Sequence, residues 1–157
     1  MKCACCGKDI GEFTLDKSFQ MPDEIWALDD EEREREVKID VDKCIFKGRC
    51  FLRGVAYFPI NKTDDAFGWG IWVEVEKNNF IDYLKKYSND NSNEPIFIGK
   101  ISNEISKQEI TLGTEVKVQL GNETQRPTFE VLDENTQLYK DQKMGISLEK
   151  VHQINEQ

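Results

Sequence analysis

Residues 67–76 read FGWGIWVEVE, and the alternation in this stretch decides the fold. Trp69, Ile71, Val73 and Val75 fall on one face of an extended chain. Gly68, Gly70, Trp72, Glu74 and Glu76 fall on the other, so the segment is a strand with one strongly apolar side. Working outward, Val37, Ile39 and Val41 alternate with charged residues, as in a half-buried strand. A second extended region runs from Cys44 to Ile60, interrupted at Lys47-Gly48-Arg49, where Gly48 permits a tight hairpin turn. Downstream, strands are expected at about 95–101, 114–120 and 127–132. A helix is expected from Pro22 to about Arg35 and another from Asn78 or Asn79 to Tyr87, with Phe80, Ile81, Leu84 and Tyr87 as its apolar stripe. A helix at 136–143 ends at Gly145, and Ser147 caps a last one carrying Leu148, Val151 and Ile154. Strands in runs, not alternating with helices, give an α+β fold with a mostly antiparallel sheet and flanking helices. The expected organisation is a single domain, 1–157. Its short Cys-rich start (1–10) docks on a core of about 22–156.

The 157 residues suffice for a real core. Twenty-one basic against 30 acidic residues leave a net charge of −9, which argues against a general nucleic-acid binder. No apolar run approaches the ~18 residues needed to span a membrane. The start, MKCACCGKDI, lacks the apolar stretch of a secretion signal, so a cytoplasmic protein is expected.

Five cysteines, an odd number, do not read as a disulfide framework. Cys3-x-x-Cys6-Gly7 has the form of a zinc knuckle. Two intervening residues let both sulfurs face one ion, and the glycine permits the turn that aims backbone N–H groups at them. Structural zinc takes four ligands, and Cys44 and Cys50, flanking the Gly48 turn, are the remaining thiols once Cys5 is left over. The expected site is therefore a structural zinc on Cys3, Cys6, Cys44 and Cys50. His152, alone near the C-terminus, is not expected to substitute. Against this stand the readings of Cys44 and Cys50 as small buried hydrophobes and of the N-terminal thiols as a tail or a redox pair.

Residues 22–42 hold ten acids and three bases, whereas residues 43–63 hold five bases and no acid. Glu31, Glu32 and Glu34 could meet a basic protein partner, since opposite potentials speed and orient encounter; the alternative is a solvated helix face. Phe46, Phe51, Tyr57 and Phe58, interleaved with the bases, could stack on nucleic acid or simply form core. Trp72 would mark a binding surface if exposed on the Gly68/Gly70 face. No P-loop, G-x-S-x-G, G-x-G-x-x-G or H-E-x-x-H pattern occurs.

Several segments, in this order, resemble a bacterial family known as domain of unknown function 2199. They are Cys3-x-x-Cys6-Gly7, EEREREV (31–37), Cys44 before a glycine turn, FLRG (51–54), WGIWVEVEKNNF (69–80), PIFIGKIS (95–102), LGTEVKVQ (112–119), RPTFEV (126–131) and MGISLEKVHQI (144–154). The resemblance spans about residues 3–156. The family often carries a histidine shortly after Cys-Gly, where this chain has Lys8, Asp9 and Ile10, and His-Pro near Asn135-Thr136. The resemblance therefore implies an all-thiolate site here and leaves the activity open. The expected function is a non-catalytic binding or regulatory module with a structural zinc. The alternatives are a small acidic immunity-type protein that caps a toxin, and a metal- or thiol-dependent enzyme.

Overall fold

In a computed structural model describing residues 1–157, the chain runs through β1 (Asp16–Ser18), α1 (Asp23–Trp26), α2 (Asp30–Glu36), β2 (Val37–Ile39), β3 (Lys43–Phe46), β4 (Arg49–Pro59) and β5 (Ala66–Val75). There follow α3 (Lys77–Lys85), β6 (Phe97–Ile101), β7 (Glu115–Gln119), β8 (Thr128–Val131), α4 (Gln137–Met144) and α5 (Leu148–Asn155). The fold is α+β, and all but two of its strand pairings are antiparallel. None of the helices is long and apolar enough to cross a membrane.

The Lys47-Gly48 turn of β3–β4 has positive φ at both residues, 52° and 77°, the backbone that matches strand twist in a two-residue hairpin. β4 then pairs with β5 from Cys50↔Val75 to Pro59↔Ala66. On its other edge, each of these two strands changes partner midway. β5 bonds β6 at Val73–Val75 and β1, in parallel, at Gly68–Gly70. β4 bonds β3 at Arg49–Leu52 and β8, in parallel, at Val55. With β6–β7–β8 the ring closes, making a five-stranded barrel with β2–β3 and β1 as extensions. Closure needs Gly54, where a Cβ would strike the Pro127 carbonyl and the Phe129 ring.

The alternation of FGWGIWVEVE holds. Trp69, Ile71, Val73 and Val75 face a main core of 26 buried residues shared with Leu148, Val151 and Ile154 of α5. Trp72, on the other face, joins Ile25, Cys44, Phe46 and Phe51 in a second cluster under α1. Arg49 ties this cover down by reaching both Glu24 of α1 and Glu74 of β5 (Nη2–Oε1 2.8 Å). The Glu74 carboxyl is held below its ordinary range by that guanidinium. Buried Asn103 completes the joint. It accepts from Trp72 N–H at 2.8 Å and donates to Met21 O and Asp23 Oδ1.

Two expected helices differ in detail. The 22–35 helix is broken at Ala27–Asp29, because Asp29 caps a new start by accepting from Glu32 N–H and Arg33 binds the carbonyls of Ile25, Trp26 and Leu28. In α3 the buried side chains are Phe80 and Tyr83, whereas Ile81, Leu84 and Tyr87 stay substantially exposed. The Ser147 cap and the Gly145 stop, at φ 90°, stand as expected.

Candidate metal centre

The first ten residues fold back on themselves. Lys2 bridges Asp9, Cys3 N–H bonds Lys8 O, and Gly7 N–H bonds Cys3 O, both at 2.8 Å. Gly7 takes φ 76°, which closes the turn around the thiols. The loop lies on α5. Ala4 N–H donates to Glu149 Oε1 at 3.0 Å, and Asn155 exchanges two bonds with the Thr14 backbone. Cys3 and Phe13 are buried in the main core beneath it.

This docking brings His152 to the thiols. Its Nδ1 lies 2.9 Å from Cys5 Sγ and 3.6 Å from Cys3 Sγ, and Cys3 and Cys5 sulfurs are 3.1 Å apart. With Cys6, four donor atoms lie within 4.8 Å of one another. Sulfurs bound to one zinc ion at ~2.3 Å form a tetrahedron with edges of roughly 3.8 Å, so the group has the span of a single ion's shell and could hold one. The other imidazole nitrogen, Nε2, meets Glu156 Oε1 at 3.0 Å, the carboxylate support that orients a ligating histidine. Burial raises the Cys3 thiol, but hydrogen bonds from Cys5, His152 and the Cys6 backbone outweigh it and set it at about 6. Cys5, bonded to Cys3, is pushed up to about 11, and His152 is raised by Cys3 and Glu156.

The structure brings together half of the expected ligand set. Cys3 and Cys6 are in the cluster; Cys44 and Cys50 are not. Register pairs Cys44 with Phe51 and Ile45 with Cys50, so the two side chains leave opposite faces of the hairpin. Cys44 is enclosed with Trp72 and Cys50 sits in the main core, both as small apolar side chains. Burial pushes the Cys44 thiol up to about 12, so it is not a thiolate. Cys5 and His152 complete the cluster. One signal for His152 was available: it flanks the Leu148/Val151/Ile154 stripe of a capped helix, with Glu156 four residues on.

Trp72 is 0 % exposed and donates Nε1–H to Phe19 O at 3.0 Å, and Trp69 is also buried, so neither marks a binding surface. Phe46, Phe51 and Phe58 are core, while Tyr57 is exposed. Glu31, Glu32 and Glu34 lie on α2, with Glu31 and Glu34 exposed.

A family model described as "Uncharacterized protein conserved in bacteria (DUF2199)" matches residues 2–146. The chain belongs to the DUF2199 family. Of the four donors, Cys3, Cys5 and Cys6 fall within the part matched by DUF2199, and His152 lies beyond it. No curated protein and no solved structure matches the chain.

Proposed function

We propose that this protein is a non-catalytic binding module whose N-terminal segment is fastened to α5 by a structural zinc ion on Cys3, Cys5, Cys6 and His152. One observation carries the reading: the chain itself supplies four converging donors, three sulfurs and an imidazole. Such soft ligands favour zinc over hard cations. Catalytic zinc keeps a position for water, whereas a shell filled by four side chains is the structural kind. The test is native mass spectrometry of protein purified without added metal. One zinc per chain is expected, bound at least ~100-fold more weakly in His152→Ala and undiminished in Cys44→Ser. Metal-free protein, or His152→Ala with full affinity, overturns the reading.

For the partner we propose a basic protein surface, as an immunity-type protein would cap. The support is the acidic α1–α2 segment beside Trp26, a residue that is 63 % exposed. An exposed tryptophan within a charged rim has the composition of an interface centre. Reversing Glu31, Glu32 and Glu34 to lysine is expected to slow association about tenfold or more at low salt. An unchanged rate overturns it.

A further inference from the structure

Away from the thiols, a cavity of about 350 Å³ opens between the C-terminal part of α3, Asp42 of the β2–β3 turn and the 121–126 loop that joins β7 to β8. Most of its lining is polar. Its floor is a fixed network. Asp42 accepts from Tyr87 Oη at 2.6 Å and from Arg126 Nε at 2.9 Å, and these bonds outweigh its burial and keep the carboxylate ionised. Tyr83 stacks edge-on against Tyr87 with ring centroids 5.6 Å apart.

Tyr83 is the unexplained group. The residue is 8 % exposed, yet its hydroxyl forms no hydrogen bond within the protein. Buried tyrosines ordinarily find a partner for that hydroxyl. Nor is it sealed away, since the one fully enclosed side-chain polar atom without a partner is Arg53 Nε. Tyr83 lines the cavity, and its hydroxyl is open to solvent. Around it, Arg126 commits only Nε to Asp42, which leaves both terminal amino groups as donors. Asn91, 4 % exposed, spends its amide N–H groups on Lys86 O and Asn89 O, which leaves Oδ1 as an acceptor.

Donors and acceptors are thus interleaved, and the Asp42 charge is neutralised by Arg126. A simple anion would meet Asp42 and Glu123, and an apolar ligand would strand the polar groups. Hydroxyl groups, which donate and accept at once, satisfy the set. We propose that this cavity binds a neutral vicinal diol, the unit shared by sugars and by the ribose of nucleosides, with Tyr83 Oη and Arg126 gripping its oxygens.

Saturation-transfer NMR on the full chain tests this with two probe sets at millimolar concentration. One is a panel of hexoses (glucose, galactose, mannose); the other is adenosine beside 2′-deoxyadenosine. Transfer to a hexose, or to adenosine but not its deoxy analogue, is expected, and the pattern tells which source of the diol the cavity takes. Tyr83→Phe removes only a hydroxyl that bonds nothing in the protein, so Tm should stay put while affinity falls about tenfold, the worth of one neutral hydrogen bond. Three results would overturn the proposal: no transfer from either set, equal transfer from the deoxy analogue with none from hexoses, or transfer undiminished in Tyr83→Phe.

Discussion

For the proposed metal site, chelation is expected to lower Tm by about 10–15 °C, with the loss concentrated at the two chain ends. Two routes give this size. A ligand present at a thousand times its Kd stabilises by about 4 kcal/mol. A link between positions 147 residues apart, the Cys5–His152 separation, restricts the unfolded chain by about 5 kcal/mol in the loop-entropy picture. For a domain of this size each kcal/mol is worth roughly 2–4 °C. The barrel carries its own core, so hydrogen exchange should accelerate in residues 1–14 and 148–157 while β4 and β5 stay protected. Calorimetry and exchange with and without chelator check both halves. An unchanged Tm would remove the structural role of the metal.

Trp72→Ala is expected to cost about 3–5 kcal/mol, the range for deleting a fully buried large aromatic side chain. The indole fills the second cluster between β5 and α1, and its N–H is the partner of the Phe19 carbonyl. Removing it leaves a cavity and an orphaned acceptor under a helix of only four residues. Urea unfolding should show a lower midpoint at an unchanged slope. Because Trp72 and the thiols belong to different core clusters, the proposed metal site should be unaffected. A cost below about 1 kcal/mol would mean that α1 and its cluster stabilise little.

The elements with local signals were legible in the sequence. The period-two run 67–76, the Lys47-Gly48 turn, the Gly145 stop and the Ser147 cap each depend on near neighbours, and each stands where its residues indicate. Barrel closure was not legible, since it rests on one parallel register, Val55↔Thr128, between strands far apart in the chain. In α3 both Ile81 and Tyr83 suit an apolar stripe, and only the partner surface chooses Tyr83. The site was half legible. The Cys3-x-x-Cys6 spacing located it, but spacing alone could not recruit a histidine from the opposite end of the sequence. The separation of Cys44 from Cys50 is written in the sequence. Once the hairpin turn is fixed at 47–48, strand parity alone puts them on opposite faces.

The proposed zinc shell also has an order in time. Cys3, Cys5 and Cys6 leave the ribosome first, and His152 is added 146 residues after Cys6. At ~5–20 residues per second the thiols wait on the order of ten seconds for their fourth ligand. Every barrel strand is made in that interval, so the clasp can fasten only around a sheet already synthesised. In that proposal the ion is a lock set at the end of assembly, not a seed around which the barrel grows.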